Sequence, residues 1–281
     1  MTKWYIFVPV LLIVLVIYMF IQAQAFKIRY HAISAKTGLR FLHMTDIHIS
    51  LLFVSARRIR KAIEKTKPDY ILFSGDFLEK PKDLKKLVKW LKDINFKVPA
   101  YAVPGNHEHR CFRKHPEFRG IFLKAMQELG IKILDNDVVI LKKNKRQSLA
   151  DETNTTDKSG AIALIGIRDY QSGDIIDNQI ISGLKDQYKS VVAFTHSPDI
   201  ALHIPENSVD ILIAGHLHGG QIWLPFNLEY LLLRKDKVSK MGYYKDFATI
   251  RNNRVYISRG LGTVLIPFRF LSIPEITVFD V

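Results

Sequence analysis

Cysteine occurs once in 281 residues, at Cys111. That excludes an internal disulfide and any zinc cluster built on thiolates. Acidic residues are the second scarcity, with 27 Asp and Glu against 41 Lys and Arg, for a formal charge of +14. Such a surplus favours anionic partners (phosphate esters, nucleic acid or an anionic membrane face) without choosing among them. No basic strand is interleaved with aromatic residues in the manner of a base-stacking platform, so nucleic acid is not an expected partner. A nuclease would instead need its basic patch to line the cleft and would lose activity steeply with salt. No repeat of fixed period is visible. Hydrophobic residues at 48% and charged residues at 24% exclude disorder, collagen-like repeats and coiled coil as descriptions of the whole chain.

There is one long apolar run. Trp4 to Ile21 reads WYIFVPVLLIVLVIYMFI, eighteen residues without a charge. Gln22 to Phe26 extend the uncharged stretch up to Lys27, and at about 1.5 Å per residue it just crosses a hydrocarbon core of roughly 30 Å. We expect residues 1–26 to be a single-pass membrane anchor, entering the bilayer through residues 4–21, and residues 27–281 to be one domain. Ala23-Gln24-Ala25 has the small-x-small pattern of a cleavage site, so a signal peptide is the alternative. The run exceeds the usual signal core of about 7–15 residues, and no twin arginine precedes it. Trp4, Tyr5 and Tyr18 suit the two interfaces. Lys3 lies on one side and Lys27, Arg29, Lys36 and Arg40 on the other, which points the domain to the cytoplasmic face of the cell membrane. A short N-terminal anchor can also translocate the domain behind it, and the same four cations suit anionic headgroups.

Beyond the anchor one pattern recurs, an apolar strand that ends in polar residues. FLHMTDIH (41–48) ends in Asp46 and His48, YILFSGD (70–76) in Asp76, and AYAVPGNHE (100–108) in Asn106 and His107. VVAFTH (191–196) ends in His196 and ILIAGHLH (211–218) in His216 and His218. Runs of this length suit strands buried on both faces, and in open α/β sheets ligand sites assemble at the C-terminal strand edge. Amphipathic helices are predicted between them: one from about Ala56 to Lys65 stopping before Pro68, one carrying Leu84, Leu87, Leu91 and Ile94, and one carrying Phe118, Phe122, Met126 and Leu129 before Gly130. This alternation implies parallel pairing over the first 130 residues. VVIL (138–141), AIALIGI (161–167), VYIS (255–258) and ITVF (276–279) are further strands, and the polar stretch 142–160 reads as an exposed hairpin excursion.

Taken singly, Asp46 or Asp76 reads equally as a helix cap, and His48 or His196 as a hydrogen-bonded structural histidine. Their conjunction is more specific. The order D-x-H, G-D, G-N-H-E, T-H, G-H-x-H from Phe41 to His218 resembles the calcineurin-like metallophosphoesterase superfamily. The resemblance implies a four-layer α/β/β/α sandwich with mixed sheets and a pair of divalent ions, Mn, Fe or Zn. Asp76 would bridge the ions, with Asp46, His48 and His218 on one and Asn106, His196 and His216 on the other. Two such ions relieve phosphoryl charge and lower the pKa of a water into the neutral range. His107 is then the general acid for the leaving alkoxide, or else a residue that steadies Asp46 or Asn106. Arg110 is a weaker candidate, either binding a non-bridging phosphate oxygen or lying in a solvated loop with Glu108 and His109. Cys111 reads as an ordinary buried thiol. Gly219, Gly220 and Gln221 read as a tight turn that brings backbone up to the metals.

GHLHGGQIWLP, SRGLGTVLIPFRF and PEITVF resemble the membrane-associated bacterial branch of that superfamily. The branch includes cell-wall-associated phosphoesterases and an enzyme that splits the pyrophosphate of UDP-diacylglucosamine. The expected activity is therefore hydrolysis of a phosphodiester or pyrophosphate, lipid-linked substrates included, with phosphomonoester or phosphoprotein hydrolysis as alternatives on the same metals. Residues 222–237 and 263–275 are apolar stretches with embedded cations. They read either as a rim that meets lipid or as ordinary core, and burial decides between the two.

Overall fold

The computed structural model describes residues 4–33, 37–142, 161–223 and 235–281. Helix α1 (Trp4–Gln24) leads into strand β1 (Lys27–Ala32). β2 (Arg40–Met44), β3 (Tyr70–Ser74), β4 (Ala100–Val103) and β5 (Ile131–Ile133) then run parallel in that order. Their crossovers are α2 (Ala56–Thr66), α3 (Leu84–Ile94) and the pair α4 (Asn106–Lys114) and α5 (Pro116–Glu128). The last strand, β12 (Glu275–Asp280), inserts antiparallel beside β2 and pairs on its other edge with β1, completing six strands. The second sheet takes β6 (Asp137–Leu141), β7 (Ile162–Gly166), β8 (Ser190–Phe194), β9 (Ile211–Ala214), β10 (Asp246–Ile250) and β11 (Asn253–Ile257) in the order β10-β11-β9-β8-β7-β6. Its four inner strands are parallel and its two edges antiparallel, so both sheets are mixed.

Period-two alternation explains the layering. Phe41, Leu72 and Tyr101 meet Leu164, Val192, Phe194 and Ile213 between the sheets. Their chain neighbours Leu42, Ile71, Phe73 and Ala100 face outward onto Ile59 of α2, Leu87 of α3 and Phe122 of α5. Ala163, Ile165, Val191 and Ala193 face outward on the other side, onto Ile181 of helix α6 (Asn178–Gln187). Both faces of each sheet are therefore covered, which is why the strands read as unbroken apolar runs. The result is the expected four-layer α/β/β/α sandwich.

At one end of the sandwich the buried Glu275 ties the sheets together. It accepts from Tyr256 Oη at 2.7 Å and from Arg259 Nη1 at 2.9 Å, and it pairs with the Arg29 guanidinium, whose Nε lies 2.6 Å away. Arg259 also forks onto Asp246 at 2.7 and 2.6 Å. Burial raises the Tyr256 hydroxyl far above its ordinary range, with Glu275 adding to the effect.

The predicted strands and the three crossover helices form close to their expected bounds. Among the described residues β1, β5, β10 and α6 lie outside the sequence expectations, and so does α4. The expectation of a solvated loop at Glu108 is corrected, because residues 106–114 form α4. That helix lacks a long apolar periodicity and is instead started by a cap, the Glu108 carboxylate accepting from Gly105 N at 2.8 Å. The hairpin expected over 142–160 (apart from Lys142), the apolar stretch 224–234, and the side chains of Trp4 and Tyr5 lie outside the described residues.

Phe279, fully buried between the sheets with its ring centroid 5.2 Å from that of Tyr256, should be costly to truncate. Phe279→Ala is expected to lose about 3–5 kcal/mol, read from the urea midpoint. His43 is buried in the same layer, its Nε2 2.8 Å from Ser74 Oγ, and burial pushes its pKa down to about 3 from 6.5. The unfolded chain therefore takes up this proton first. The neutral ring's contribution is complete above about pH 6.5 and is lost as pH falls toward about 3. The wild type should accordingly lose more stability between pH 7 and 5 than His43→Gln, measured by urea denaturation.

Candidate metal centre at the strand ends

Five strands of the two sheets deliver their polar termini to one edge of the sandwich, and backbone hydrogen bonds lock those termini to each other. Asp46 N donates to Gly75 O at 3.1 Å, His48 N to Asp76 O at 2.9 Å, Gly215 N to His196 O at 3.0 Å, and Gly262 N to Asp46 O at 2.7 Å. Such close approach needs glycine. A Cβ on Gly105 would stand 2.2 Å from Asp76 Oδ1, and one on Gly215 would stand 2.4 Å from Asp46 Oδ2. One on Gly260 would stand 2.6 Å from Asp46 Cβ. Asp46, His48, Asp76, His216 and His218 themselves all adopt positive φ, between 41° and 72°. Left-handed backbone at five non-glycine residues is costly and persists only where the surrounding structure enforces it.

The side chains form three overlapping clusters: Asp46, His48 and His218; His48, Asp76 and His107; and Asp76, His196 and His216. In the first, His48 Nε2 is 3.2 Å from His218 Nε2, and His218 Nε2 is 3.4 Å from Asp46 Oδ1. In the third, His196 Nε2 lies 3.0 Å from His216 Nδ1, 2.8 Å from Asn106 Oδ1 and 3.1 Å from Asp76 Oδ2. Asp76 Oδ2 is also 3.6 Å from His48 Nε2, so one carboxylate faces both groups. All seven sequence-predicted ligand residues are thus brought together. The donor set fits divalent cations, because imidazole nitrogens and carboxylates crowd inward while their outer atoms are occupied. His196 Nδ1 donates to Ser74 O at 2.8 Å, and His216 Nε2 lies 3.0 Å from Asp236 Oδ1.

The electrostatics follow from burial opposed by opposite charge. Burial would raise Asp76, but His196, His107 and His48 hold it well below the usual carboxylate range. Burial would lower His196, but Asp76 above all raises it well above the ordinary value.

Sequence reasoning misses Glu79, and the only local signal for it is its place three residues after Asp76. Its two oxygens lie 2.5 Å from His48 Nδ1 and 2.5 Å from His107 Nδ1, orienting both rings. Burial would raise this carboxyl, but the bonds to His107 and His48 bring it down to about 2. Glu108 is likewise not a loop residue. Fully buried, it accepts from the amides of Asp76, Leu78 and Gly105 and so fixes the G-D turn. Burial first and the Asp76 charge second raise its pKa.

His107 sits at the rim, with Nε2 3.9 Å from Asp76 Oδ2 and its backbone amide donating to Asp76 Oδ1 at 3.0 Å. Arg110, one turn along α4, is exposed and outside the three clusters. Cys111 is buried, its Sγ 3.3 Å from Glu79 O, and burial raises its thiol to about 11. The expected turn at 219–221 forms, directly after the donor His218. A Cβ on Gly219 would meet Arg259 at 2.6 Å and Ser272 at 2.9 Å.

Comparison with known proteins agrees with this geometry. The calcineurin-like phosphoesterase family model matches residues 39–220. The Bacillus subtilis metallophosphoesterase YkoQ is 30% identical over 250 residues, covering 88% of this chain and 85% of its own. YkuE of the same organism is 29% identical, covering 86% and 78%. The UDP-2,3-diacylglucosamine pyrophosphatase LpxG of Chlamydia trachomatis is 26% identical, covering 85% and 82%. With its strand-end motifs, donor clusters and sandwich all in agreement, this chain belongs to the calcineurin-like phosphoesterase family and is a metal-dependent phosphoester hydrolase.

Proposed function

We propose that the chain is a membrane-anchored hydrolase that cleaves a phosphodiester or pyrophosphate bond of a lipid-linked substrate. The observation that carries this reading is the pair of inward-facing donor groups sharing Asp76, with His107 at their rim. Asp46, His48 and His218 would hold one divalent ion and Asn106, His196 and His216 the other, with Asp76 facing both groups. The borderline donor set favours Mn, Fe or Zn over a cage of oxygens alone. Bound there, the ions supply charge neutralisation for the phosphoryl oxygens and acidify a water to make the nucleophile.

The protein's own groups do the rest. Glu79 holds His107 through Nδ1, which leaves Nε2 to give its proton to the departing oxygen. The same carboxylate fixes the His48 ring, so one residue sets both a ligand and the acid. Two observations support the choice of substrate. The chlamydial relatives are named for a pyrophosphatase acting on a diacylated nucleotide sugar. In addition, α1 presents an eighteen-residue window, Phe7–Gln24, of mean hydropathy 2.3, mostly exposed. On this reading α1 crosses the cell membrane once, with the domain at the cytoplasmic face, where Lys27, Arg29, Lys36 and Arg40 follow the span.

The test uses the purified full chain, stripped of metal and reloaded with Mn²⁺, on an activated phosphodiester and its matching monoester. Diester turnover is expected to exceed monoester turnover, and the reverse would overturn the substrate class. Asp76→Ala should lose bound metal, measured by elemental analysis, together with turnover. His107→Ala should keep its metal and lose about 10²–10⁴-fold in rate on a diester with a poor leaving group; full rate there would remove His107 from the role. Glu79→Gln is expected to lose about 10–100-fold in activity or metal affinity, since it weakens the support of two rings at once.

A further inference from the structure

The C-terminal turn of α1 does not stand clear of the domain. Gln22 and Ala23 are buried, and Met19 O accepts from Arg269 N at 3.1 Å. The Phe20 ring centroid is 5.1 Å from that of Phe53 and 6.4 Å from that of Phe268, and Tyr18 is 6.3 Å from Phe270. The segment that receives the helix exposes large apolar side chains of its own, with Leu265 90%, Leu271 51% and Ile266 43% accessible. Between them Arg269 turns inward and is fully buried. It donates to His218 O at 3.2 Å and to Ser272 O at 3.1 Å. One ten-residue stretch thus touches the hydrophobic helix, a histidine of the donor clusters and solvent.

Leucines this exposed, contiguous with an exposed apolar helix, form a patch that water disfavours. Cations fringe it. Arg58 donates to Gln24 O and lies 4.9 Å above the Phe26 ring, Arg57 beside it is exposed, and Lys86 donates to Ser50 O at 3.2 Å. An apolar tip rimmed by arginine and lysine is complementary to an anionic bilayer surface.

We propose that residues 263–272, with Phe53, seat the catalytic domain on the bilayer that α1 enters, inserting Leu265, Ile266 and Leu271 below the headgroups. This rests on the reading of α1 as a membrane span. It deepens that reading by making the rim of the metal centre itself a membrane surface. The domain is then held with its site at headgroup depth, where the phosphoryl group of a lipid lies, instead of swinging on a tether. The Arg269–His218 contact ties that seating to the donor clusters.

The test places an environment-sensitive nitrobenzoxadiazole dye on single cysteines of the full chain, each in a Cys111→Ser background. The positions are Leu265→Cys in the seating segment, Val14→Cys in α1 and Ile180→Cys on the exposed face of α6. The chains are reconstituted in phosphatidylethanolamine–phosphatidylglycerol vesicles with or without lipid carrying a nitroxide on its upper acyl chain. Blue-shifted emission and nitroxide quenching are expected at 14 and 265, with neither at 180. Quenching at 14 but water-like emission at 265 would overturn the seating surface and leave the anchor standing. Blue-shifted emission at 265 without quenching would show a protein contact, such as a second copy, and would also overturn it. Absence of quenching at 14 would remove the anchor and the seating together.

Discussion

Everything at the functional edge of this protein depends on crowding buried imidazoles and carboxylates against one another. His48 and His218 bring ring nitrogens to 3.2 Å, and His196 and His216 to 3.0 Å. Two nitrogens at that distance need a proton or a cation between them, and the buried carboxylates of Asp46 and Asp76 face the same rings. Desolvation makes such a group costly unless opposite charge is supplied. The same desolvation makes a cation there a stronger electrostatic partner than it would be in water. The arrangement is therefore most comfortable when it holds positive charge, and a phosphoester hydrolase needs positive charge at that place.

Holding the crowd together requires backbone rigidity of an unusual kind. Side chains from five strand ends converge because Gly75, Gly105, Gly215, Gly260 and Gly262 leave no Cβ in the way. Left-handed turns at five of the converging residues aim them inward. Parallel strands covered on both faces supply the stiffness that keeps this strain in place. Glu108 and Glu79 then work from outside the clusters. The first satisfies three amides of the turns beneath Asp76, and the second holds the outer nitrogens of two rings. Glu275 plays a comparable part at the C-terminal strand, where a buried carboxylate shared by Arg29, Arg259 and Tyr256 joins the two sheets.

The segment from Ser258 to Ser272 links these levels. Its glycines pack on Asp46 and Ile47, Arg269 reaches the His218 carbonyl, and its aromatic rings meet the end of α1. A chemistry performed at the edge of a sheet and a helix suited to a bilayer are thus joined through a single stretch of chain.

The motifs by themselves determined a great deal, because their information is local. A buried strand reads as an apolar run, an amphipathic helix as a 3.6-residue stripe, and a ligand-bearing strand end as D-x-H or G-H-x-H, all without reference to the rest of the molecule. Tertiary structure decided what depends on partners distant in the chain. Residues 27–32 and 246–250 are strands because edges were available for them to pair with. Glu108 is a buried clamp and not a loop residue because the turns at 75–78 present it with amides. Glu79 matters because two histidines, 31 positions before it and 28 after, meet in space on either side of its carboxylate. The apolar stretch after Gly262 could be read as core or as rim. Only burial separated the two, with Arg269 inside and Leu265 outside, since hydrophobicity alone does not say which way a side chain faces.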